Sequence, residues 1–269
     1  MFFFLLNRIA NFIVTIFVVS IIVFAAMNVL PGDPALTILG LDATEDSLNA
    51  LREKLGLNEP LINRYFSWVV NAFSGNFGVS HSFSVPVSEL IIERLPLTVS
   101  LAISGMLCTI FLAFVLGVFA AANHQRAGDW GVMIISQLGI AVPAFWLSIL
   151  LVLLFAVKLR WLPPGGFPGW ESPIDALRSL IMPTLALTLV QSAVLARVTR
   201  SSMLEIKRQD YIRTAQASGL HHRRILWLHT LPNALIPIVT IIGMQFAALV
   251  TGTIVIENVF YLPGLGKLI

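Results

Sequence analysis

The chain has 269 residues, of which 57% are hydrophobic and 12% charged, and a mean hydropathy of +0.86; against the roughly 25% charged residues of soluble domains this excludes an ordinary water-soluble globule and marks an integral membrane protein. The single cysteine, Cys108, lies in an apolar run, which excludes an intrachain disulfide and a cysteine-based zinc site. A net charge of +3 and a pI near 9.4 do not indicate nucleic acid, because the basic excess sits between hydrophobic spans.

The first span covers residues 9–30, without a charge and preceded by Asn7 and Arg8. At about 1.5 Å per residue it crosses the roughly 30 Å hydrocarbon layer. The apolar core is too long for a signal peptide, and Leu30-Pro31-Gly32-Asp33 is a poor cleavage site, so a retained helix is expected. Residues 31–96 form a polar loop with four basic residues (Arg52, Lys54, Arg64, Arg94) against eight acidic ones, net −4. Within it Leu48, Leu51 and Leu55 recur at helical spacing, as do Ile62, Tyr65, Phe66, Val69 and Phe73 after Pro60. Two surface-lying or span-capping helices are expected, the second ended by the turn residues Ser74-Gly75-Asn76-Phe77-Gly78.

The second span is residues 97–122, followed by a short link at 123–130 that carries His124, Arg126 and Asp129. The third, 131–157, contains Pro143, a cause for a bend. A Pro- and Gly-rich loop follows at 158–178, with Trp161 and Trp170 suited to the interface belt. The fourth span is 179–196 and the fifth 233–256, entered through Pro237. Between these two, residues 197–232 hold Arg197, Arg200, Lys207, Arg208, Arg213, Arg223 and Arg224 against Glu205 and Asp210, net +5. The positive-inside rule puts that loop in the cytoplasm, the acidic loop 31–96 outside and the N-terminus inside. The C-terminus then falls outside, and the abrupt ending at Gly266-Lys267-Leu268-Ile269 leads to the expectation of a missing segment.

Within the cytoplasmic loop, residues 210–233 are expected to form a short amphipathic helix at 211–218, a break at Gly219, a second short helix at 222–230 and a stop at Pro232. Ala215, Ala217 and Gly219 are small enough for close approach to a partner surface, and Ile212, Leu220 and Ile225 offer apolar anchors for it. Other motifs fail on chemistry. Gly264-Leu265-Gly266-Lys267 resembles the end of a phosphate-binding loop, but the first glycine is replaced by Tyr261 and the residue after Lys267 is Leu268. His221, His222 and His229 sit among seven basic residues with one nearby carboxylate, Asp210, so a metal ion there is repelled and no metal site is expected. No catalytic constellation emerges, which weighs against a membrane enzyme or scaffold without transport. The spans so bounded hold no Asp, Glu, Lys or Arg, against an ion-coupled carrier. They hold neutral polar residues instead: Ser136, Gln137, Gln191, Ser192, Thr240 and Gln245, placed either to bond helix to helix or to line a route for a polar solute.

Arg213-Thr214-Ala215, then Gly219, then His229, Leu231 and Pro232 resemble the EAA loop of ABC importer permeases, whose pattern is E-A-A, three residues, Gly, nine residues, I-x-L-P. Arg213 stands in place of the glutamate and His229 in place of the isoleucine. The R-T-A form is common in the dipeptide, oligopeptide and nickel branch. LPGDPA at 30–35, VSELIIERLPLT at 87–98, VPAFW at 142–146, RSSMLEIKRQDY at 200–211 and ENVFYLPGLG at 257–266 are similar to that branch, in order and at its spacing.

The resemblance implies an all-α polytopic membrane protein with the ABC importer permease fold, as a single transmembrane domain over 1–269. Five spans are present and a sixth is expected after the GLG stretch but absent here. It implies a permease subunit in the bacterial cytoplasmic (inner) membrane, embedded in lipid with its N-terminus inside, carrying di- or oligopeptides or, alternatively, nickel chelates, glutathione or another small solute. Its partners would be a second permease subunit, two cytoplasmic ATPase subunits that carry the ATP and magnesium, and an extracytoplasmic solute-binding protein. No cofactor is implied in this chain. Arg213, Thr214, Ala215, Gly219, His229, Leu231 and Pro232 would form the ATPase-coupling loop, and Ser136, Gln137, Gln191, Ser192 and Gln245 are the candidates for the pathway.

Overall fold

The computed structural model describes residues 2–29, 34–40, 43–54, 56–80, 83 and 85–268, which divide into two units, Met1–Glu93 and Arg94–Ile269. The described residues build helices and one isolated bridge, Val79 to Pro86. The LPGD stretch at 30–33, Leu55 and the His222 side chain lie outside what is described.

The first unit holds α1 (Phe2–Val29), α2 (Pro34–Leu39), α3 (Glu45–Lys54) and α4 (Leu61–Phe73). Helix α1 is apolar on all sides and long enough to cross a membrane, and most of its side chains are exposed within the unit. Helix α4 docks on it through Tyr65, whose ring meets Phe24 edge to face at 5.4 Å and whose hydroxyl shares a 2.7 Å hydrogen bond with Ser20. Other apolar side chains of α4, Ile62, Phe66 and Phe73, stay exposed. Thr44 caps α3, its Oγ1 accepting the Ser47 amide, with Glu45 and Asp46 in the positive first turn.

Helix α5 (Val87–Ala122) crosses the boundary between the units. The second unit continues with α6 (Ala127–Ala141), α7 (Ala144–Leu151) prolonged by a π-helical segment Val152–Lys158, and α8 (Pro173–Lys207). Then come α9 (Asp210–Ala217), α10 (His222–Arg224), a second π-helical segment Ile225–Thr230, α11 (Leu231–Val259) and a 3₁₀ turn at Leu265–Lys267. Helix α8 is the central rod, and its 35 residues give a length of about 52 Å at 1.5 Å per residue. Lipid offers no hydrophobic drive between helices, so close contact rests on small residues. At Gly139 of α6 a Cβ would lie 3.1 Å from Ala193, and at Gly117 of α5 it would lie 2.6 Å from Thr199 Cβ and 2.8 Å from the Ala196 carbonyl oxygen.

The helices outrun the apolar stretches that announce them. Helix α5 starts at Val87, with Pro96 inside it, and α8 carries Arg197, Arg200 and Lys207 on its last turns rather than on a loop. Spans bounded by hydropathy alone contain no charge; the helices themselves include Asp129, Arg200 and Glu257, because each charge is met by protein donors or acceptors and need not leave the helix. Pro143 does more than bend its span: α6 and the α7 segment meet at 100°. The pair still joins opposite ends of the unit. Asp129, at the start of α6, binds Arg200 near the end of α8, whereas Trp161, just past the α7 segment, accepts a 3.3 Å hydrogen bond from Arg178 near the start of α8.

At the Trp161 end a buried carboxylate ties helices together. Glu257 is fully buried. Its Oε1 accepts the Thr98 hydroxyl of α5 at 2.6 Å and its Oε2 accepts the Gly266 amide at 2.7 Å, while Thr98 Oγ1 accepts the Leu265 amide at 2.9 Å. A Cβ at Gly264 would fall 2.2 Å from the Glu257 carboxyl carbon, so the loop closes over the carboxylate only with glycine there. The loop before α8 seats on the same end, the Gly166 amide donating to the Phe260 carbonyl at 2.7 Å.

Two outcomes test this packing in detergent-solubilised protein. Gly117→Ala is expected to cost about 1–3 kcal/mol through overpacking, seen as a lowered melting temperature, whereas Gly131→Ala, with nothing within 4 Å of its Cβ, leaves it unchanged or slightly raised. Glu257→Ala strands the buried Thr98 hydroxyl and Gly266 amide and is expected to cost on the order of 1–3 kcal/mol per stranded group; a melting temperature equal to that of the unsubstituted chain would contradict the latch.

Candidate coupling site

Helix α9 opens at Asp210, whose carboxylate sits at the positive end of the helix and pairs loosely with Arg213 at 3.4 Å. Thr214 Oγ1 donates to the Asp210 carbonyl and Ser218 Oγ to the Thr214 carbonyl. The helix ends in a Schellman arrangement: the Gly219 amide bonds the Gln216 carbonyl at 3.0 Å and the Leu220 amide the Ala215 carbonyl at 3.3 Å. Gly219 has φ +78°, the left-handed conformation that closes this motif and that side chains with a Cβ resist. Among the described residues a Cβ there would meet nothing within 4 Å, so within this chain the glycine serves the turn.

Two readings of this segment change. Ile212 and Ile225 are 0% and 2% exposed, so they are not anchors offered to a partner. They fasten the element to its own chain, where α9 packs on the π-helical segment and on the end of α8. The segment leaves exposed Asp210, Tyr211, Arg213, Thr214, Gln216 and Ala217 on α9, the Ser218-Gly219 turn, and then His221, Arg223, Arg224, Trp227 and Leu228. Nor does Pro232 stop the second helix. The helical run Ile225–Val259 passes through it, with Pro232 in the first turn of α11. Proline lacks an N–H and crowds the carbonyl four residues back; the wider π turn before it, in which the Leu231 amide reaches the Leu226 carbonyl, accommodates both. The Asn233 side chain donates to the His229 carbonyl at 2.7 Å.

Arg200, on α8 above this segment, grips Asp129 of α6. Its Nε donates to Oδ1 and its Nη2 to Oδ2 at 2.7 Å. Oδ2 also accepts the Gln125 amide at 3.0 Å and lies 3.1 Å from His124 Nδ1. Lys207, at the end of α8, donates to the Ala121 carbonyl at 3.2 Å, near the negative end of α5.

The neutral polar residues of the spans are not all together. Gln245 of α11 is buried and donates to the Gln191 backbone carbonyl at 3.2 Å and to its side-chain oxygen at 3.4 Å across to α8. Ser192 bonds its own helix at the Leu189 carbonyl. Ser136 is buried with no partner for its hydroxyl among the described residues, whereas Gln137 and Thr240 are exposed. Gly264 and Gly266, the phosphate-loop look-alike, close over Glu257 instead. Among the described residues no three metal-ligating side chains converge. Sequence reasoning missed Thr98, Asp129, Arg200 and Glu257 as partners. Thr98, Arg200 and Glu257 each stood inside a quoted motif, and the available signal was a charged or hydroxyl residue at the edge of an apolar run.

Two family descriptions match the chain: residues 1–102 fit the N-terminal component of binding-protein-dependent transport system membrane proteins, and residues 113–269 the binding-protein-dependent transport system inner membrane component. A putative peptide transport system permease protein of Brucella suis biovar 1 (strain 1330) is 44% identical over 266 residues, covering 98% of this chain and 85% of the relative. The glutathione transport system permease protein GsiC of Escherichia coli (strain K12) is 38% identical over 266 residues, 99% of this chain and 85% of its own. With its helices, its membrane-spanning lengths and residues 210–232 as described, the chain belongs to the binding-protein-dependent transport system inner membrane components, as a multi-pass ABC importer permease of the dipeptide, oligopeptide and nickel branch.

Proposed function

We propose that this permease forms half of the translocation pathway of an ATP-driven peptide importer, beside a second permease subunit, and that residues 210–232 seat one of two cytoplasmic ATPase subunits. An extracytoplasmic solute-binding protein delivers the solute. The observation that carries the seat is the build of α9: a short helix held to its own chain by the buried Ile212, closed by the Gly219 turn, with a continuous polar face left exposed. A seat of this kind passes rotation onward, where a flexible linker would absorb it.

The peptide reading rests on the relatives, one named for peptides and one for glutathione, itself a tripeptide. The net +5 of residues 197–232 supports a cytoplasmic seat, with the N-terminus on the same side and the Glu257 latch outside. Gln245, Gln191 and Ser192 already have helix-to-helix or local hydrogen bonds, so among the candidates Gln137, exposed on α6, is assigned to the aqueous pathway.

Gly219→Trp places a bulky side chain on a left-handed backbone at the seat. The variant is expected to insert normally but to take up at least about tenfold less peptide per ATP in proteoliposomes, the size of a coupling loss of about 1.4 kcal/mol. Uptake equal to that of the unsubstituted importer would sink the seat.

A further inference from the structure

We propose that Asp129 and Arg200 are positioning residues for energy coupling, a clasp that makes the bent α6–α7 span move with α8. The proposal rests on the reading of residues 210–232 as the ATPase seat.

Only Arg208 and Gln209 separate the end of α8 from the start of α9, so a displacement of the seat reaches α8 first. Near that end α8 makes two polar holds on its neighbours. Lys207 takes the Ala121 carbonyl of α5 with a single bond, which fixes a distance but leaves rotation free. Arg200 presents two N–H groups along one edge of its guanidinium, Nε and Nη2, to both oxygens of Asp129, which fixes orientation as well as distance. The Asp129 side chain is 3% exposed and that of Arg200 22%, so water is poorly placed to replace either partner if they separate. The link before α6 is wound around the same carboxylate. Gln125, in the left-handed region at φ +63°, gives it an amide, and His124 Nδ1 stands 3.1 Å from Oδ2 and 3.3 Å from Arg200 Nη2. Four groups from α8 and the link therefore converge on Asp129 at the head of α6.

What α6 carries makes this hold matter. It ends at Ala141, and across Val142 and Pro143 the chain turns by 100° into the α7 segment, which leads to Trp161 and the opposite end of α8. With the clasp closed, a rotation of α8 turns the head of α6 with it. With the clasp open, the contacts left to α6 are side-by-side packing, such as Gly139 on Ala193 of α8 and Gly128 on Phe119 of α5, which permits sliding.

The test uses the permease purified with its partner subunits and binding protein, in proteoliposomes, with tritiated dialanine and tritiated glutathione as probes. The variants are Arg200→Ala, Asp129→Asn and Arg200→Lys, the last keeping charge but losing the fork. Spin labels at Arg126→Cys and Arg197→Cys, both exposed, report the separation of α6 and α8 in a Cys108→Ser background. The expected result is that the ATPase subunits still copurify, ATP is still hydrolysed, and uptake per ATP falls about tenfold in Arg200→Ala and Asp129→Asn and less in Arg200→Lys. The label separation stays constant between nucleotide-free and ATP-trapped states in the unsubstituted complex and changes between them in Arg200→Ala. Unchanged uptake per ATP, or a label separation that keeps its constancy without Arg200, overturns the clasp. If Arg200→Ala fails to insert, the same two readouts on Arg200→Lys decide. If the ATPase subunits do not copurify even with the unsubstituted permease, the seat fails and the clasp's coupling role falls with it; if they copurify and Arg200→Ala keeps its uptake per ATP, the clasp alone fails.

Discussion

A carboxylate held away from water must be met by protein donors, and the second unit is organised by two that are. Asp129 and Glu257 are 2% and 0% exposed. Stranding either would leave a buried charge unpaired, at a cost of several kcal/mol. Each is satisfied only when separate parts of the chain come together: α6, α8 and the 123–126 link at one end, α5, α11 and the 264–266 loop at the other. Between these fixed ends the bundle is held by apolar contact and by small residues, as at Gly105 on Leu187 and Gly117 on Thr199. Apolar contacts are non-directional, so specificity of register falls to the ends.

The candidate coupling segment follows the same division of labour. Its shape is set by backbone geometry, with the Schellman turn at Gly219 and the π turn ahead of Pro232. Its attachment is set by burial of Ile212, Ile225 and Leu226, the last within the apolar cluster around Leu195, Met203 and Ile238. That leaves the exposed side of α9 free of structural duty. A surface so placed is available to a partner without disturbing what holds the element to α8 and α11.

Much of this was legible in the sequence, for physical reasons that differ by element. The long apolar stretches announce spans because hydrocarbon tolerates little else. The break at Gly219 is legible because few residues adopt a positive φ after a helix. The helix ends were not, since Arg200 and Glu257 look like loop residues until their partners are known. Those partners lie far along the chain, 71 residues for Arg200 with Asp129 and 159 for Thr98 with Glu257, beyond any local pattern. Pro232 misled because the local rule for proline omits the π turn that absorbs its ring. Ile212 and Ile225 misled because amphipathic spacing says that a face is covered but not by which chain.

Helix α8 gives these pieces a mechanical order. Its length of about 52 Å exceeds the roughly 30 Å hydrocarbon thickness, so the helix outruns the apolar layer. One end carries Arg200 and Lys207, on α6 and α5; the other carries Arg178, on the loop after α7. The proline within it, Pro183, is buried where Met182 and Ala186 pack tightly, so neighbours support the rod at its weak point. A helix supported in this way transmits torque better than it bends. The compliant point is then the 100° corner at Pro143, where the α6–α7 span breaks between Ala141 and Ala144. If the seat acts as proposed, a force entering at α9 meets stiffness along α8 and compliance at that corner, and this contrast would localise an opening in one span instead of spreading it through the bundle.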